Sequence, residues 1–245
     1  MTFRKIGIIN IILVIIIAVF GLNPWYYSML TVAKLIFVPL TLEITLKNDT
    51  GRMMKYLPYF AIVASFAIFL LELTAIWAPV LSGIYFVFTI MIATHGFKRF
   101  FNRGFIHLEE FLIDTGFIYL AIGGAWFVAS EANIDTGFSP MITWLTGIHF
   151  HYSAFLLPIF VGLLGRIYKS ASYQWIGSII ILSPIIVALG ITFSVTLELV
   201  SVLIYIIGIY GLIVLSFKAP IQHALQKVFI RISFAALGVS IIFSL

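Results

Sequence analysis

LPYFAIVASFAIFLLELTAIWAPVLSGIYFVFTIMIATHG, residues 57–96, holds one carboxylate, Glu72, one histidine, His95, and no lysine or arginine in forty positions. A single helix of that length would be about 60 Å long, twice the roughly 30 Å of a bilayer's hydrocarbon. The run divides at Trp77-Ala78-Pro79, where proline restricts the residue before it and discourages continuation of a helix. We read a hairpin of two membrane-crossing helices.

The rest of the chain repeats the pattern. Apolar residues make up 62% of the 245 positions and charged residues 9%, against about 25% charged in globular domains. Further apolar runs fall at roughly 6–22, 25–46, 109–130, 140–165, 173–192, 194–216 and 227–245, which with 57–75 and 80–96 predict nine helices. Thr192-Phe193-Ser194 divides the seventh from the eighth by the same length argument. The first run follows Arg4 and Lys5, lacks a small-residue cleavage site, and reads as a retained helix and not a signal peptide. The stretch 218–226, KAPIQHALQ, reads as a short interfacial segment. There is no cysteine, hence no disulfide or thiolate metal site.

The charges test the count independently. With the N-terminus in the cytoplasm, nine helices put Arg4, Lys5, Lys47, Arg52, Lys55, Lys98, Arg99, Arg103, Arg166, Lys169, Lys218, Lys227 and Arg231 on the inner side. That is thirteen of the fourteen basic residues, with Lys34 inside a helix, as the positive-inside rule requires. Trp25, Trp77, Trp126 and Trp144 then fall near outer helix ends, and the C-terminus lies outside. The expected fold is all-α, one transmembrane helical domain over residues 1–245 of a multi-pass cell-membrane protein, with the lipid bilayer as its surroundings. The basic residues follow topology and form no patch, so no nucleic-acid partner is expected. Gly123-Gly124, Gly162 with Gly165, and Gly208 with Gly211 offer places for close helix approach, including between copies in a homo-oligomer.

Ionisable groups inside such helices are costly unless they face a partner or a wet cavity, so they are the candidate functional residues. Glu109 and Glu110 open a helix, where its dipole and Arg103 favour them. Asp114 lies a turn deeper, about 6–8 Å along the axis, at a depth similar to Glu43, and the two would line one cavity if their helices touch. Lys34 is nine residues from Trp25, about 14 Å by helical rise, and must pair with a carboxylate such as Glu198 or Glu72 or lose its proton.

In LTGIHFHYSAFLLP, residues 145–158, His149 and His151 fall about 14–17 Å from the helix start at Pro140. In a regular helix they diverge by about 200°, which disfavours a two-histidine chelate. His149 shares a polar stripe with Thr146, Tyr152 and Ser153 and is expected to face a cavity, whereas His151 is expected to make an interhelical hydrogen bond. No metal or cofactor is expected. If a metal were held, His149 and Asp114 would be the first ligands.

The stretches EEFLIDTGFIYLAIGGAWFV (109–128) and LTGIHFHYSAFLLPIFVGLLGR (145–166) resemble the YndJ-like family of bacterial membrane proteins, most strongly over about 105–170. Glu109, Glu110, Asp114, His149, His151 and Tyr152 match its motif positions. The resemblance implies a polytopic bacterial inner-membrane protein of a family labelled as transporters, and supplies no substrate. Some members carry a soluble extension that is missing here, and any activity residing in it would be missing too.

Three function classes follow. A transporter of an unidentified small molecule or ion, proton-coupled, would use His149, His151, Tyr152, Asp114, Lys34, Glu43, Glu110 and Glu198 as binding and relay groups. This is the leading reading. A membrane-embedded metal enzyme would need about three convergent ligands, and a non-catalytic assembly or sensor protein would need none. With no phosphate loop, nucleophile elbow or dinucleotide fingerprint, the sequence leans away from an enzyme.

Overall fold

The computed structural model describes residues 2–47, 49 and 51–242, with Arg52 described in its backbone only. The Arg52 side chain and residues 243–245, the end of the last apolar run, lie outside the described residues. Nine helices among the described residues are long and apolar enough to cross a membrane. They are α1 (Phe3–Phe20), α2 (Trp25–Leu46), α3 (Arg52–Thr74), α4 (Ala78–Arg103), α5 (Leu108–Glu131), α6 (Pro140–Ile167), α7 (Ala171–Phe193), α8 (Val195–Lys218) and α9 (Ala224–Ile242). The described residues contain no strand.

The opening hairpin breaks where the backbone turns left-handed. Ala75 (φ 51°) and Trp77 (φ 57°) leave the helical region, and the Ala75 N–H closes α3 on the Leu71 carbonyl at 2.9 Å. Pro79 then sits in the first turn of α4, where a missing N–H has no helical partner to lose. α4 runs beyond the expected 96 because nothing interrupts it before Gly104, whose φ of +64° is the conformation that ends helices. Serine hydroxyls cap α6, α7 and α8 at Ser139, Ser170 and Ser194. In the stretch read as interfacial, α8 ends at Lys218 and α9 begins at Ala224, with no helix between them.

The chain divides into two compact units. The first comprises Met1–Lys98 and Gly116–Leu156, thus α1, α2, α3, most of α4, the later part of α5 and the first half of α6. Its interior includes Leu35, Leu42, Leu57, Ile92, Phe117 and Phe127. The second comprises Arg99–Thr115 and Leu157–Leu245. Here Leu112, Val161, Tyr173, Ile180 and Leu212 form a core joining α5, α6, α7 and α8. At Gly162 the α6 backbone approaches α5 so closely that a Cβ would lie 2.7 Å from the Ile113 side chain.

Two helices of the first unit depart from regular geometry. α2 widens into a π turn over Ala33–Phe37, with the Val38 N–H reaching five residues back to the Ala33 carbonyl, and α6 widens over Phe150–Leu156. Each widened turn precedes a proline, Pro39 or Pro158. A proline supplies no N–H to the carbonyl four residues back and its ring crowds that carbonyl, and the wider turn relieves the crowding.

Candidate functional site

Lys34 lies within the widened turn of α2, its side chain 1% exposed. Its ammonium stands 3.6 Å from Glu72 Oε1 on α3 and 3.4 Å from the ring centre of Phe127 on α5. Glu72 accepts further hydrogen bonds, from the Thr31 hydroxyl at Oε1 and from Asn23 Nδ2 at Oε2 (3.1 Å). The Leu22 N–H donates to the Glu72 backbone carbonyl at 3.3 Å, which holds the turn after α1 against this carboxylate. Glu72 sits in the last turn of α3, the negative end of the helix dipole, so its charge is misplaced without a nearby cation. The carboxylate also borders a cleft of about 100 Å³, together with Asn23, Trp25, Ser28 and the end of α1 at Ile17, Ala18 and Gly21.

The groups around Lys34 brace the two widened turns. Pro39 leaves the Leu35 carbonyl without its helical donor, and buried Asn10 on α1 donates to it at 2.6 Å and to Ser65 Oγ at 2.9 Å. The Tyr152 hydroxyl of α6 donates to the Met29 carbonyl of α2 at 2.8 Å, with its ring edge-on to Phe37. His151 is fully buried. Its Nδ1 is 2.7 Å from the Gly147 carbonyl, which can only accept, so Nδ1 carries the proton and Nε2 of the neutral ring accepts from the Tyr85 hydroxyl at 2.8 Å. Gly123 makes room for this imidazole, since a Cβ there would lie 2.9 Å from Nδ1.

The second unit has a charge cluster of its own. Arg99 pairs with Asp114 at 2.6 Å and with Glu110 at 3.0 Å. Glu110 also receives Arg103 and, at both oxygens, Arg166 (2.6 and 2.9 Å). Glu109 takes Lys169 at 2.5 Å. The cluster ties the end of α4 and the start of α5 to the end of α6.

These placements revise several expectations. Glu43 and Asp114 do not share partners: Glu43 accepts from the Arg4 N–H at 3.2 Å and so caps α1, whereas Asp114 belongs to the arginine cluster of the second unit. The carboxylate that Lys34 meets is Glu72, while Glu198 lies in the first turn of α8, where the dipole favours it. The polar stripe drawn through His149, Tyr152 and Ser153 assumed a regular helix, and the π turn from Phe150 alters that register. His149 is half-buried and edge-on to Phe150. No three His, Cys, Asp or Glu side chains among the described residues are grouped as a metal site would need. Asn10, Tyr85 and Phe127 were missed. A lone asparagine in an apolar run was the available signal for Asn10, and aromatic residues in such runs carry none.

The family described as YndJ-like protein matches residues 28–245. The uncharacterized membrane protein YndJ of Bacillus subtilis (strain 168) is 42% identical over 165 residues, which cover 66% of this chain and 30% of that protein. The chain thus spans about a third of the length of this relative. No solved structure matches the chain.

Proposed function

This chain belongs to the YndJ-like family and is a multi-pass membrane protein, and from that premise we propose that it is a transporter whose solute or coupling ion engages the Lys34–Glu72 pair. One observation carries the reading: Glu72 both neutralises a buried ammonium and borders a cleft large enough for a small ligand. A charge buried in a membrane-crossing helix is costly, and such charges mark ion and substrate pathways.

We take the basic connections to be cytoplasmic, which puts the Glu72 cleft toward the outer face. His151 and Tyr152 then position α6 against its neighbours, and His149 lies one residue before their widened turn. Glu43, Glu110, Asp114 and Glu198 hold helix ends and ion pairs.

The test is flux in reconstituted proteoliposomes, read both as charge displacement on a solid-supported membrane and as luminal pH change with an entrapped dye, under proton, alkali-cation, amino-acid, carboxylate and amine gradients. At least one gradient should give a current or a pH change that is lost in Glu72→Gln. The absence of any Glu72-dependent current or pH change across the series would refute transport through this pair.

A further inference from the structure

We propose that the cleft at Glu72 is a site for a single alkali-metal cation, whose entry displaces the ammonium of Lys34 from the carboxylate and releases its proton. The inference deepens the reading of this pair as a transport site and rests on it.

Three features of the cleft select a cation. Glu72 carries a carboxylate, and Asn23 and Ser28, which also line the cleft, each carry a neutral side-chain oxygen, the Asn23 Nδ2 being turned to Glu72. The last turn of α1 reaches the cleft at Ile17, Ala18 and Gly21, and Glu72 itself lies in the last turn of α3. Both helices therefore present carbonyl-bearing, negative ends here. The first turn of α2, at Trp25 and Ser28, opposes them with its positive end, and the Glu72 carboxylate together with two of the three helix ends favours a cation.

Size and charge narrow the class. About 100 Å³ holds a few waters or a small cation with part of its hydration shell. Pockets for drug-sized organic ligands start near ~300 Å³. A divalent cation would keep an uncompensated charge beside the single carboxylate, and Mg²⁺ held by so few carboxylates is usually completed by substrate phosphates. Oxygen donors with a single charge suit an alkali ion.

The buried lysine makes entry an exchange. The groups facing Lys34 are Glu72 at 3.6 Å, the Phe127 ring, and Glu131 and His151 within electrostatic reach. Glu72 is its near carboxylate. Two cations sharing it in a low-dielectric site would leave one in excess, which is unfavourable. The ammonium instead breaks one N–H bond, keeps the electron pair on nitrogen, and gives the proton to water in the cleft. One positive charge enters, one leaves, and nothing is oxidised or reduced.

The experiment is calorimetric titration of the full chain in nanodiscs with NaCl and with KCl over a pH series, with N-methyl-D-glucamine chloride as the large-cation control. Sodium or potassium should bind, the control should not, and the apparent affinity should rise about tenfold per pH unit, as one-for-one exchange with a proton requires. Lys34→Met should bind the ion with no pH slope, and Glu72→Gln should not bind. Ser28→Ala, which leaves the buried pair intact, should bind about fivefold more weakly through loss of one neutral oxygen. Binding that is equal for the control cation, independent of pH in the wild type, or unchanged in Glu72→Gln overturns the proposal. If an organic solute drives Glu72-dependent current and neither alkali ion binds, this inference falls and the transport reading stands. If an alkali ion binds with proton release but no gradient gives current or luminal pH change, this inference stands and transport falls.

Discussion

Replacing Glu72 by glutamine keeps the shape of the side chain and removes the charge that Lys34 faces at 3.6 Å. At that distance and an effective permittivity near 20, the pair's attraction is about 5 kcal/mol. Loss of one partner from a buried pair ordinarily costs ~3–5 kcal/mol. A second limit comes from the lysine itself, which can enter the fold neutral, and neutralising an ordinary lysine near pH 7 costs about 5 kcal/mol. That limit falls to about 2 kcal/mol near pH 9, because an unfolded lysine there is closer to losing its proton. Glu72→Gln should therefore cost ~3–5 kcal/mol at neutral pH and only ~2 at pH 9. The sign follows from proton counting: the unfolded variant binds a proton that the folded variant lacks, so its stability rises with pH. Lys34→Met should cost less, ~1–3 kcal/mol, since Glu72 keeps Thr31 and Asn23 as donors and borders the cleft. The double variant should recover at least ~2 kcal/mol of the summed penalty. Unfolding in mixed SDS micelles, followed by far-UV circular dichroism, measures all four corners of the cycle. Additivity within ~0.5 kcal/mol, or a Glu72→Gln penalty that does not shrink with pH, would refute the reasoning.

The same unfolding assay tests four other contacts. Glu110→Gln removes the carboxylate shared by Arg99, Arg103 and Arg166 and should cost ~2–4 kcal/mol, whereas a loss under ~1 would mean that the arginines find water instead. Tyr85→Phe strips His151 Nε2 of its donor and should cost ~1–2 kcal/mol, with no added loss when His151 is already alanine. Gly123→Ala pushes into the His151 imidazole and should cost ~1–3 kcal/mol, most of it relieved in a His151→Ala background. Asn10→Leu leaves the Leu35 carbonyl without its side-chain donor and should cost ~1–3 kcal/mol; restoring a backbone N–H with Pro39→Ala should return part of that, and no recovery would show that the proline does not create the need.

The helices were legible because they depend on quantities additive along the chain. Length against bilayer thickness separates α3 from α4, and the alternation of basic residues fits one count of spans. Glu72 was not singled out over Glu198 as the partner of Lys34 because that choice depends on which helices touch, and both carboxylates lie near helix ends of the expected polarity. Glu43 was misjudged for a related reason. Its partner is a backbone N–H of α1, a type of contact that leaves no mark in side-chain spacing. The π turns escaped a reading that assumed regular geometry, although Pro39 and Pro158 each stand just past one.

Those prolines also sort the polar residues of the membrane-crossing helices by purpose. In lipid a carbonyl that loses its helical donor needs another, since water is absent. Asn10 answers the carbonyl that Pro39 orphans, whereas Tyr152 and His151 add second donors beside the widened turns, to the Met29 and Gly147 carbonyls that already accept from the Ala33 and Phe150 N–H groups. His151, expected to make an interhelical hydrogen bond, makes it with Tyr85 and bonds the Gly147 carbonyl of its own helix. No comparable backbone need accounts for Lys34 or Glu72. Removing both charges and filling their space with apolar side chains would leave the widened turns braced by Asn10, Tyr152 and His151, and replacing a buried pair in this way is often neutral or stabilising. Glu72 answers the Thr31 and Asn23 donors, whereas Lys34 meets Glu72 and the Phe127 ring alone among its described contacts, so the cation is the part of the pair that the helices' own hydrogen bonds do not account for.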